Sequence, residues 1–152
     1  MYKHKKPAAT AGFTLIEILI VIGIIAILAA IVLVAVNPAQ QFKKANDAQR
    51  ASNVNAILNA VGQYIVDNKG SLPSGITTTD QDLGSAGANI CIKLVPDYIA
   101  ALPADPGKTD QSIDSTECGG TYSTGYKIKK DTNNRVTITA DAEIGADIVV
   151  TR

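Results

Sequence analysis

Apolar and polar positions divide the chain into three textures. Over residues 13–36, 21 of 24 side chains are apolar, and the nineteen residues 18–36 carry no charge. Such a run reads as a helix buried on every side or set in lipid. At about 1.5 Å per residue it reaches about 36 Å, enough for a hydrocarbon core of about 30 Å. Asn37-Pro38 interrupts the run. Pro38 has no N–H and its ring crowds the carbonyl of Val34, which predicts a kink rather than a stop. Beyond it the pattern turns amphipathic: Phe42, Ala45, Ala48, Val54, Ile57, Leu58, Val61, Tyr64 and Ile65 recur at spacings near three and four. Lys43, Lys44, Asp47, Arg50, Asn53, Asn59 and Asp67 fall largely elsewhere. With Gly70 as a cap after Asn68-Lys69, the spacing predicts one helix over about 14–68, kinked near 38.

The third texture is a small head. Residues 71–114 are rich in Gly, Ser, Thr and Pro, so little regular structure is expected there. Within them, 90–95 reads as a short strand or turn, and 96–106 as a helical turn with an extended stop. Residues 126–130 and 135–140 alternate around a turn at 131–134. Tyr126, Ile128, Val136, Ile138 and Ala140 then face the helix, and 148–150 adds a last strand. The fold class is α+β: a long kinked N-terminal helix, transmembrane in its first half, on a small antiparallel sheet. The chain divides into a leader 1–12, a span 13–36, an amphipathic helix 37–70 and a loop-and-sheet head 71–152.

Composition removes most catalytic chemistry. At 152 residues the chain suggests one domain, or one domain plus an appendage, and 14 basic side chains balance 14 acidic ones. That balance offers no charge argument for a nucleic-acid partner. The single histidine is His4, ahead of the apolar run. A Ser-His-Asp or Cys-His site in the folded part is therefore excluded, as is a His-ligated metal. Gly107-Lys108-Thr109 lacks the upstream glycine of a P-loop, the position being Leu102. Asp105, Asp110, Asp114 and Glu117 are oxygen donors in one loop, but their spacing fits no strict calcium loop and reads as a solvated acidic surface. Lys127, Lys129, Lys130 and Arg135 read as edge cations that keep a strand soluble. No enzyme activity, cofactor or metal is expected, and no specific nucleic acid.

Lys3, Lys5 and Lys6 make the start cationic, so the basic end stays cytoplasmic and the chain after about residue 37 lies across the membrane. Cys91 and Cys118 then face an oxidising compartment. A bridge would close a loop of about 27 residues, worth roughly 3.5 kcal/mol; two partly buried thiols are the alternative. Two ordinary readings of the N-terminus are a secretory signal cleaved near Ala30 or Ala35, and a plain signal anchor. Neither accounts for Glu17, a carboxylate inside an apolar span, where such groups usually have a partner; taken alone, its place one turn into the helix reads better as simply reaching the interface.

Glu17 closes the string Gly12-Phe13-Thr14-Leu15-Ile16-Glu17. After a basic leader and before an apolar span, this string resembles the type IV prepilin signature of type IV pilins and type II secretion pseudopilins. The resemblance implies that a prepilin peptidase cuts between Gly12 and Phe13, and that the new Phe13 amine is N-methylated. It implies that Glu17 pairs with the N-terminal amine of a neighbouring subunit during assembly. Its partners would be other pilin subunits in a homo-polymer, the peptidase, a membrane platform with a cytoplasmic ATPase, and lipid before assembly. The chain is thus expected to be a filament subunit, first in the cytoplasmic membrane with its head outside, then in an extracellular fibre. A secretion pseudopilin is the alternative within the family, and the Leu-Pro-x-Asp-Pro element at 102–106 slightly favours it. A signal-anchored binding module is the alternative outside it.

Overall fold

Thr14 opens the first helix. Its backbone is extended, with φ −81° and ψ 151°, and its hydroxyl accepts the Glu17 N–H at 3.3 Å while the Glu17 carboxylate accepts the Thr14 N–H at 2.8 Å. This reciprocal capping box starts α1, Leu15–Val36. The computed structural model describes residues 12–152; the leader's Lys3, His4, Lys5 and Lys6 lie outside the described residues. All 22 residues of α1 are without burial, and the helix is long and apolar enough to cross a membrane. The chain forms two compact units, one ending at Gln41 and the other running Phe42–Arg152.

Between α1 and α2, Pro38–Asp67, the helical ladder is broken rather than bent. Asn37 takes a left-handed backbone, φ 45°, which a short polar side chain tolerates. Its side-chain carbonyl accepts the Gln40 N–H at 3.4 Å, so it ends one helix and caps the next. Pro38 stands at the first position of α2, where a missing N–H costs nothing. At the far end, Lys69 and Gly70 both adopt positive φ and the Gly70 N–H reaches the Ile65 carbonyl at 2.8 Å, closing the helix as its glycine implied.

The second unit packs α2 on a four-stranded antiparallel sheet in the order β1-β4-β5-β6, formed by Gln81–Gly84, Ser123–Lys130, Val136–Ala140 and Ile148–Thr151. Ile128 lies opposite Ile138, which lies opposite Val150, so the apolar faces of three strands coincide. Val54, Ile57, Leu58 and Val61 of α2 join Tyr126, Ile128, Val136 and Ile138 in one core. The α+β arrangement matches the expected class.

The stretch expected to be irregular contributes much of that core. Ile76, Leu83, Ile90, Leu94, Leu102 and Ile113 are all buried. Residues 91–94 form a single helical turn, α3 (Cys91–Leu94), where a strand or turn was expected. Leu102–Pro103 (β2) pairs with Ser112–Ile113 (β3), and β1 pairs with β4. Gly87 lets this stretch fold tightly, because a Cβ there would stand 2.2 Å from the Asp82 carbonyl oxygen. A disulfide joins Cys91 and Cys118, with Cα atoms 5.3 Å apart. Changing both to alanine should lower the unfolding free energy by about 3.5 kcal/mol, read from denaturant midpoints of the full chain in detergent. An unchanged midpoint would show that packing alone holds the loop.

Candidate assembly and processing site

Gly12, Phe13 and Thr14 precede α1 in no regular element, and all three are exposed. The Gly12–Phe13 peptide thus lies ahead of the helix, at an exposed position. Phe13 is 85% exposed. One turn later, Glu17 accepts both the N–H of Thr14 and its hydroxyl, the latter at 2.7 Å. Its carboxylate is thus occupied by its own helix start in the single chain, a local partner that the apolar pattern did not disclose. A carboxylate has about four acceptor positions, so two donors from Thr14 leave capacity for a cation.

The polar centre of the second unit was missed from the sequence. Arg50 and Asn53 sit among the polar positions of the helical pattern, yet both are buried, at 5% and 6% exposure. Arg50 grips Asp105 through Nε at 2.6 Å and Nη2 at 3.0 Å, a two-pronged contact. Its Nη1 also reaches Asp47 at 2.8 Å and Glu143 at 3.0 Å. Asp47 in turn accepts the N–H groups of Glu143 and Ile144 at 2.9 and 3.0 Å, tying the β5–β6 loop to α2. Asn53 donates to the Ala104 carbonyl and to the Tyr126 hydroxyl. The signal available in the sequence was an arginine and an asparagine three apart, in step with Val54 and Ile57, but nothing there named their partners.

Charge follows geometry. The Arg50 guanidinium holds the Asp105 carboxyl below its usual range. Asp47 is lowered first by the Glu143 N–H, and Glu143 first by the Asn46 amide and then by Arg50. Each folded value lies below the unfolded one, so the stabilisation is present at neutral pH and is lost as pH falls. The melting temperature of the full chain in detergent should hold down to about pH 5 and drop below about pH 4. A flat profile to about pH 3 would contradict this linkage.

The acidic loop does not gather. Asp105 belongs to Arg50; Asp114 accepts the Thr116 hydroxyl at 2.6 Å, and Glu117 accepts the Asp114 N–H at 2.9 Å. Among the described residues, no group of three His, Cys, Asp or Glu is placed to hold a metal ion. Lys129 pairs with Asp80 at 3.0 Å and Arg135 with Asp131 at 2.7 Å, so the basic strip is partly neutralised. Phe42, Ala45 and Ala48 are exposed rather than turned inward. The fully buried apolar positions of α2 begin at Val54.

The profile of the prokaryotic N-terminal methylation motif matches residues 8–33. Over 84 residues the chain is 37% identical to the type IV wide pilus major component PilA4 of Thermus thermophilus. That stretch covers 55% of this chain and 63% of the relative, a little less than two thirds of its length. No solved structure matches the chain. Over these stretches the chain is similar to a type IV pilus component and carries the N-terminal methylation motif at the start of α1.

Proposed function

We propose that the chain is a structural subunit of a type IV pilus or pilus-like filament and catalyses nothing itself. The observation that carries this reading is α1: a fully exposed apolar helix whose one carboxylate, Glu17, follows the Gly12–Phe13 junction by a turn. The precursor waits as a single span in the cytoplasmic membrane with its head outside. A prepilin peptidase removes residues 1–12 and the Phe13 amine is methylated. The span then exchanges lipid neighbours for other copies of α1. Lipid is already apolar, so that exchange brings little hydrophobic gain, and packing with the Glu17–amine pair must set the stagger. A membrane platform and a cytoplasmic ATPase supply the work.

The similarity to a wide pilus major component favours a pilus over a secretion pseudopilus. The Leu-Pro-x-Asp-Pro element that pointed to the latter has a local duty here, since Asp105 holds Arg50. Mass spectrometry of sheared surface fibres tests the proposal. A peptide beginning at methylated Phe13 is expected. A mature N-terminus after Ala30 or Ala35 would refute it.

A further inference from the structure

Residues 38–45, at the start of α2, are exposed on every side. Phe42 is 72% exposed and packs into no core. Lys43 and Lys44 enter none of the ion pairs among the described residues. The carboxylate one turn away, Asp47, is engaged by Arg50 and by the amides of Glu143 and Ile144. An aromatic ring and two cations thus stand in water with no internal role.

We infer that this collar binds an anionic phospholipid surface: Lys43 and Lys44 take the headgroup phosphates while the Phe42 ring enters the boundary beneath them. The inference rests on reading α1 as a membrane span. Three features favour lipid over a protein partner. Successive helical residues point about 100° apart, so Phe42, Lys43 and Lys44 address three sides of the helix. A partner docking on one face would meet one or two of them; a surrounding medium meets all. The collar also follows the apolar run closely in sequence, with only residues 37–41 between Val36 and Phe42. Helical rise from Pro38 to Lys44 is about 9 Å, comparable with the depth of a headgroup layer. Lastly, lysine stems are apolar and their ammonium groups reach outward, the form that suits a phosphate plane above hydrocarbon. While the subunit waits in the bilayer, the collar holds the foot of the head at the surface, and extraction into a fibre must break that contact.

The chain contains no tryptophan, so single-tryptophan variants report cleanly. Full-length Phe42→Trp and, separately, Ile27→Trp are reconstituted in vesicles of phosphatidylcholine alone or with phosphatidylglycerol. Lipids brominated on the acyl chain serve as quenchers. Phe42→Trp should show blue-shifted emission in vesicles, with about twofold stronger quenching when phosphatidylglycerol is present. Adding Lys43→Gln and Lys44→Gln should abolish that preference. Solvent-like emission at position 42 with strong quenching at position 27 overturns the collar and leaves the span standing. Absence of quenching at position 27 overturns the span and the collar with it. A blue shift at position 42 that grows only with chain density in the bilayer assigns the surface to a second copy, and also overturns the inference.

Discussion

Glu17→Ala is expected to leave the precursor in the membrane with a folded head, and to cut recovered fibre by roughly two orders of magnitude. Assembly would otherwise bring the Phe13 amine of one subunit beside the Glu17 carboxylate of another, in surroundings where neither charge is tolerated alone. The capping box makes a sharper variant available. Glutamine at position 17 can still accept from Thr14, so Glu17→Gln keeps the helix start and removes only the charge. It should assemble as poorly as alanine. Normal fibre from Glu17→Gln beside loss in Glu17→Ala would mean that capping, not charge, is what assembly requires. Immunoblots of the membrane fraction and of sheared fibres separate insertion from incorporation.

Arg50→Met should destabilise the head by about 3 kcal/mol, a fall in melting temperature on the order of 10 °C. Methionine keeps most of the volume but leaves Asp105, Asp47 and Glu143 around a site without a cation. The loss comes from uncompensated carboxylates rather than from a cavity, so the partner change matters. Adding Asp105→Leu should recover part of the loss, because an apolar pair in place of a partly buried ion pair is often neutral. If Arg50→Met costs less than about 1 kcal/mol, the cluster is surface decoration despite its geometry. Thermal melts of the four chains of this cycle, in detergent, give the coupling directly.

Periodicity made the large elements readable. The apolar run, the stripe from Val54 to Ile65 and the alternating pair around 131–134 each repeat one pattern long enough to stand out. What escaped reading depended on partners distant in sequence. Gln81–Gly84 is half polar and ends in glycine; it is a strand because β4 offers an edge. Leu102–Pro103 and Ser112–Ile113 are too short to carry any period. Arg50 and Asn53 broke the apolar stripe because their burial is satisfied from Asp105, Ala104 and Tyr126, about fifty to seventy residues onward. Phe42, Ala45 and Ala48 failed in the opposite sense: the helical period starts ahead of Val54, where the fully buried apolar positions of α2 begin. At the N-terminus, Gly12, Phe13 and Glu17 stand out through their order, a chemical signature, whereas Glu17's contact with Thr14 needed coordinates.

Asn37 has a mechanical meaning. A continuous helix resists pulling because each turn is latched to the next, and the left-handed residue between Val36 and Pro38 unlatches one turn. Under a pull, extension concentrates there. Each residue drawn from helix to extended chain lengthens the subunit by about 2 Å, so a strained thread built from this chain would yield first at this joint, before the sheet or the Cys91–Cys118 staple gave way.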